Sequence, residues 1–245
     1  MMRIDELLET QSESEPMWAK RIEPIIVLAR GVSARSRTLG RWAYCVAGIG
    51  KKGQWYRLYP VPIENGNRAI YPFDVIKPFI IKRHENGRPE SCRINSWLIW
   101  KAGTVPNSER QSFLEKTREP ASFLHDDSWR NKTLGLIKPL SMQIDIREKP
   151  IIKYFCNYPE CNGHTATFFD VLKIDAKGRR LIAPAEQLVN LLSQLDEEKL
   201  WFIVGTIRKH PQSWIVVEVL IDLDEIVLAL QSWLISKIKR RTSFV

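Results

Sequence analysis

Residues 155–170, FCNYPECNGHTATFFD, bring Cys156, Cys161 and His164 within nine positions of a chain that has four cysteines and four histidines in all. Thiolate sulfur and imidazole nitrogen are the ligands that tetrahedral Zn2+ prefers. The turn formers Asn157, Tyr158, Pro159, Asn162 and Gly163 between and beside them allow a short knuckle to carry both sulfurs and the ring round to one point. Three local ligands leave a fourth place to fill. His210, in RKHPQSW, is the first candidate, ahead of Cys92, His84 and His125. A Cys2His2 shell is closed and structural. If water took the fourth place instead, with Asp170 orienting a ligand or taking a proton, the site would be open to hydrolytic chemistry. The HExxH and HxE patterns of hydrolytic zinc sites are missing, which favours the structural reading. The alternative without metal is two buried thiols and a surface histidine.

A second chemistry lies in the basic residues. The net charge is +9, and it is unevenly spread. Residues 1–19 set Arg3 against Asp5, Glu6, Glu9, Glu13 and Glu15. Residues 20–57 set nine lysines and arginines against Glu23 alone. Clusters of this kind attract phosphate backbones by Coulomb attraction and counterion release, although a solvated basic face has the same composition. The loop ARSRTLGR offers Arg35, Arg37 and Arg41 to phosphate, with Ser33, Ser36 and Thr38 as hydroxyl donors. Lys51, Lys52 and Arg57 extend the set.

Aromatics accompany these cations. Trp42 and Tyr44 fall on one face of WAYCVAGI, and Trp55, Arg57 and Tyr59 on one face of QWYRLYPV. Such faces suit stacking on single-stranded bases, and equally suit core packing across a strand pair. GIGKKG at 48–53 resembles a phosphate loop only superficially, because it lies in a hairpin and opens no helix. No Walker loop, dinucleotide fingerprint, nucleophile elbow or kinase set is present, so an enzyme reading has little support.

These residues need a scaffold, and the sequence predicts mostly short strands. IEPIIVLARGVS (22–33) reads as a buried strand. WAYCVAGI (42–49) and QWYRLYPV (54–61) read as a hairpin turned at GKKG, and FDVIKPFIIKRH (73–84) as a strand with Pro78 marking an edge or bulge. SCRINSWLIW (91–100) reads as a further strand. In 107–129, Ser108 is placed to cap a short helix that stops before Pro120. LIKPLSMQIDIRE (136–148), KPIIKYFC (149–156) and TFFDVLKID (167–175) read as strands. KLWFIVGTIRK and QSWIVVEVLI read as a pair turned at His210–Pro211. Helices are predicted at 184–195 and 222–241, the latter ending in Lys237, Lys239, Arg240 and Arg241.

Strands in both halves, with helices inserted rather than alternating, argue for a mainly β (α+β) chain of small barrels or a sandwich. The expected divisions are an acidic arm at 1–19, a β domain at 20–106, a helical connector at 107–135, a second β domain with the knuckle at 136–221, and a basic helix at 222–245. No run of about 18 apolar residues is present, so no membrane span is expected. Four cysteines in a chain of 245 residues, after an acidic start, are expected of the reduced cytoplasm.

Together these segments resemble a family of uncharacterised prokaryotic proteins described as having a dual OB-containing domain. Cys45, Ala47 and Gly48 match its early C-[VI]-A-G strand, and Trp55 and Arg57 its following W-hydrophobic-R-P strand. Cys156, Cys161, Gly163, His164 and Asp170 match a C…C-x-G-H…D-W element, with Val171 where the family has tryptophan. Gly205, Thr206, His210, Pro211 and Trp214 match a late hairpin. The likeness spans about residues 22–221. It implies two OB-like β-barrel halves, association with nucleic acid, and occurrence near defence or mobile-element genes. It implies no established activity.

The expected function is a non-catalytic nucleic-acid-binding or accessory subunit of a prokaryotic nucleoprotein or defence complex, working with other protein subunits. The alternatives are a zinc-dependent nuclease or hydrolase and a protein-binding scaffold.

Overall fold

A computed structural model describes residues 4, 22–31, 34–62, 70–85, 88–125, 130–145, 151–155, 161, 163–167, 171–174, 180–183, 200–207 and 210–220. The expected helices at 184–195 and 222–241, the acidic arm apart from Ile4, and Cys156 and Asp170 lie outside these residues.

The chain enters the fold at IIVLAR, β1 (Ile25–Arg30), whose first five residues are buried. A β-branched and aliphatic run without alternation is what a strand needs when both its faces are covered. β2 (Ala34–Arg35), β3 (Trp42–Gly50) and β4 (Trp55–Pro62) follow, then β5 (Asp74–Lys82) and the long β6 (Ser91–Thr104). Hydrogen bonding runs β1-β5-β6-β4-β3, and β1 also pairs with β3, which closes a five-stranded barrel. β4 and β6 run parallel, from Arg57 beside Ser91 to Tyr59 beside Arg93, and the other barrel pairs are antiparallel. A closed barrel wound this way is compatible with the OB-like expectation for the first half.

Two glycines make the winding possible. Gly53, at φ 75°, turns the β3–β4 hairpin at GKKG, where an L side chain would be strained. Gly48 faces β1 so closely that a Cβ would overlap the Ile26 carbonyl oxygen and lie 2.7 Å from the Ile25 methyl.

Alternation along the barrel strands sorts side chains into two cores. Ile25 and Val27 of β1 pack with Val46, Leu58 and Ile76 of neighbouring barrel strands, inside the barrel. Ile26 and Leu28 point the other way and pack with Ile49, Trp55 and Val75, on the outside. That outer face is sealed by the rest of the chain. Helix α1 (Asn107–Thr117) contributes Leu114, β7 (Leu134–Ile137) contributes Leu136, and β13 (Trp201–Ile207) contributes Trp201 and Ile203. Ile4 also packs there, and its backbone N–H donates to Glu109 Oε2 at 3.0 Å. The first β unit and the later strands therefore share one apolar seam.

Several elements differ from the sequence reading. The N-cap of α1 is Pro106, without a side-chain cap, rather than Ser108. The fixed φ of proline suits a helix start even without a capping oxygen. The strand expected over 136–148 is two strands, β7 and β8 (Ser141–Asp145), because Pro139 lacks the N–H that a continuous ladder requires. β13 pairs with β14 (His210–Leu220), Ile207 beside His210, so His210–Pro211 begin a strand rather than form the turn.

β9 (Ile151–Phe155) pairs on either side with β8 and β10 (His164–Thr167). β11 (Val171–Ile174) and β12 (Arg180–Ala183) form a hairpin, and β7, β13 and β14 a further sheet. Among the described residues these three sheets are separate, and no described pairing joins them into a second closed barrel. Also among the described residues, no helix is long and apolar enough to cross a membrane.

Candidate nucleic-acid interface

The arginine loop joins β1 to β3 at one rim of the barrel, where β4 ends and β5 begins. Its shape is set by Ser36, whose side chain is buried. Ser36 N–H donates to the Arg41 carbonyl at 2.8 Å, Gly40 N–H donates to the Ser36 carbonyl at 2.9 Å, and Leu39 N–H donates to Ser36 Oγ at 3.3 Å. Gly40 takes φ 66° to close the turn. Ser36 is therefore spent on folding the loop rather than offered to phosphate. Flanking it, Arg35 and Arg37 are exposed, and so is Thr38. Ser33 lies outside the described residues.

Arg41 stands at the end of the loop with its guanidinium over the ring of Trp97, 4.2 Å from the centroid. Trp97 belongs to a bulge in β6. Pro78 pairs with Ile99 and Ile80 with Ile94, so two steps along β5 match five along β6, and residues 95–98 stand out of the ladder. Ser96 Oγ donates to the Pro60 carbonyl at 3.0 Å, and Trp97 N–H donates to Asn95 Oδ1 at 3.0 Å, which pins the bulge. Trp97 is 60% exposed. Across the rim, Arg30 lies 4.9 Å from the ring centroid of Tyr71, which is 52% exposed, and 6.0 Å from that of buried Tyr44. Burial raises the Tyr44 hydroxyl above its ordinary pKa, against the pull of Arg30 and a hydrogen bond with the Ile70 backbone.

The other sequence-selected residues are distributed differently. Lys51 and Lys52 are exposed on the GKKG turn, at the opposite end of β3 from Arg35 and Arg41. The nine-residue span of β3, at roughly 3.3 Å rise per residue, separates the two basic groups by about 26 Å. Trp55 and Arg57 turn into the seam. Trp55 is buried and its indole N–H donates to Glu119 Oε1 at 3.1 Å. Arg57 Nη2 donates to the Thr133 carbonyl at 3.1 Å and to Thr133 Oγ1 at 3.3 Å. Burial, reinforced by neighbouring Arg88, lowers the Arg57 pKa to about 10. Glu90, also buried, accepts from Thr133 N–H and, at 2.9 Å, from Thr133 Oγ. Arg88 Nη2 donates to the Thr206 carbonyl at 3.1 Å. The chemistry of this cluster is that of a polar clasp between the barrel and the β7–β13 sheet. Burial likewise raises the Cys45 thiol despite the nearby Arg57 and Arg88.

For the cysteine–histidine knuckle, β9 ends at Phe155, one residue before Cys156, and β10 starts at His164, paired with Tyr154. β9 and β10 are thus successive strands paired antiparallel. Gly163 holds φ 92°, a conformation that side chains resist, immediately before His164. β14, which begins at His210, runs against β10. Cys156 lies outside the described residues, and among the described residues no three Cys, His, Asp or Glu side chains gather into a metal-holding group.

Sequence reasoning overlooked Trp97, Tyr71 and Arg30. The available signal was Asn95–Ser96, two turn formers inside an otherwise apolar strand, which mark a bulge and hence a side chain aimed outward.

Residues 21–118, which include the whole barrel and α1, match the profile of a domain of unknown function, DUF8758. Its similarity is to an uncharacterised family. No curated protein matches the chain.

Proposed function

We propose that this chain is a non-catalytic nucleic-acid-binding or accessory subunit, and that the arginine loop at the barrel rim holds the phosphates. The observation that carries the reading is the placement of Arg35 and Arg37, both exposed on a loop braced from within by Ser36, beside Arg41. Cations fixed by a folded loop lose little side-chain and backbone freedom on meeting phosphate, so more of their attraction becomes affinity. The winding of the barrel, with its single parallel pair, supports an OB-like first half, a scaffold well suited to oligonucleotides. A second OB-like half belongs to the same proposal, as does a place in a prokaryotic nucleoprotein or defence complex with other subunits.

Zinc, in this proposal, is structural and held by Cys156, Cys161, His164 and His210. The positive φ of Gly163 immediately before His164 and the approach of β10 to β14 support that set.

The test is a titration of labelled oligonucleotide at two salt concentrations. With about four phosphate contacts, raising salt from about 50 to 200 mM lowers affinity roughly 50-fold. Absence of binding at the lower salt, or binding indifferent to salt, refutes the proposal.

A further inference from the structure

Two rings at the barrel rim are held out of the core by specific hydrogen bonds. Trp97 sits on the β6 bulge pinned through Ser96 and Asn95, and 60% of its surface is exposed. Tyr71, 52% exposed, is fixed by its backbone N–H, which donates to Asp74 Oδ2 at 2.9 Å. Asp74 is itself buried and held by Thr104 Oγ1 at 3.0 Å and Lys101 Nζ at 2.7 Å. Large aromatic side chains usually contribute most by being buried, so a bulge that presents a tryptophan to water needs a reason.

Each ring also carries a guanidinium over its face, Arg41 on Trp97 and Arg30 on Tyr71. The chain between Arg30 and Arg41 is the arginine loop, so Arg35 and Arg37 lie in sequence between the two pairs. Flat apolar surface thus alternates with positive charge along one rim.

We infer that this rim is a binding site for single-stranded nucleic acid, in which bases stack at Trp97 and Tyr71 while Arg30, Arg35, Arg37 and Arg41 meet the phosphates. The inference rests on the nucleic-acid reading above and adds the form of the ligand. A duplex turns its phosphates outward and keeps its base faces stacked on one another, so it can use the arginines but not the rings. A single strand offers both, and stacking tolerates any base because every base has a π-face. An acidic peptide would match the charge but leaves the aromatic rings without a flat partner.

The experiment compares a labelled single strand of about 12 nucleotides, the corresponding duplex, and an abasic strand with the same phosphates. They are bound to the full chain and to its Trp97→Ala, Trp97→Phe and Arg35→Ala/Arg37→Ala variants. Trp97 is exposed, so Trp97→Ala should keep the wild-type melting temperature, which controls for misfolding. The single strand should bind at least about 10-fold more tightly than the duplex, and binding should quench tryptophan fluorescence. Trp97→Ala should lose roughly 10-fold or more of that affinity without changing its salt dependence, and Trp97→Phe should recover most of it. The abasic strand should bind wild type more weakly than the intact strand binds Trp97→Ala, because it also forgoes stacking at Tyr71. If Trp97→Ala binds the single strand like wild type, or the duplex binds equally well, the stacking inference is overturned while a phosphate-binding rim survives. If no nucleic acid binds at low salt, both fall. If Trp97→Ala instead abolishes a concentration-dependent dimer, the rim is a protein interface and the inference is overturned.

Discussion

Glu90→Ala probes the clasp that ties the barrel to the β7–β13 sheet. Glu90 is 6% exposed and accepts two hydrogen bonds from Thr133, one from the backbone and one from the hydroxyl. The same Thr133 accepts from Arg57, whose buried guanidinium Glu90 supports by its charge. Alanine leaves the Thr133 N–H buried without its acceptor, at about 1–3 kcal/mol, and removes the carboxylate whose charge supports Arg57. Breaking a buried charge partnership on one side costs about 3–5 kcal/mol, a figure that already includes the partner groups left unpaired, so a loss of about 3–5 kcal/mol is expected. For a chain of this size each kcal/mol moves the melting temperature by about 2–4 °C, which gives a fall of about 6–20 °C. Urea unfolding and calorimetry would read it, with Glu85→Ala as comparison. That residue's bridge to Arg93 lies near solvent and should be worth about 1 kcal/mol at most. A loss below about 1 kcal/mol for Glu90→Ala would refute the clasp. So would strict additivity with Arg57→Met, because residues in one network must couple.

Three further outcomes follow from other parts of the fold. Gly48→Ala should destabilise by at least about 1–3 kcal/mol in urea unfolding, because its methyl meets the Ile26 carbonyl and Ile25 across the β1–β3 ladder. Cys92 is buried, and burial raises its pKa to about 11 from an ordinary value of 9.0. The folded state therefore favours the protonated thiol. Its contribution is fully present below pH 9 and is lost as pH rises through 11, about 2–3 kcal/mol, and a Cys92→Ala variant should lack this decline. Chain purified without chelator should carry about one zinc per molecule by elemental analysis. His210→Ala should lose that zinc and melt lower, whereas retention of a full zinc complement would remove His210 from the ligand set.

How far the sequence could be read depended on the range of the interactions involved. β1 was legible because an unbroken aliphatic run states its own burial, and the β3–β4 hairpin because Gly53 occupies the one position that needs positive φ. Pro78 marked an edge or a bulge without deciding between them, and the bulge lies on the partner strand, where residues 95–98 loop out and expose Trp97. Pairing register is a two-strand property that neither strand's sequence contains. Trp55 and Arg57 looked like ligand contacts because alternation says which residues share a face, not what covers that face. Here the cover comes from Thr133 and Glu119, some 64 to 76 positions away. The division of the basic residues between two barrel ends was likewise invisible until β3 was seen to run from one to the other.

The central claim is that phosphates meet the rim loop, not the far hairpin, and the salt dependence of binding measures it most directly. The slope of log affinity against log salt should be compared for wild type, Arg35→Ala/Arg37→Ala and Lys51→Ala/Lys52→Ala, using one single-stranded oligonucleotide. Each lost phosphate contact reduces the slope by about 0.7, so the rim variant should be shallower by about 1.4 and the hairpin variant unchanged. An unchanged slope in the rim variant, or a loss confined to the hairpin variant, would contradict the account.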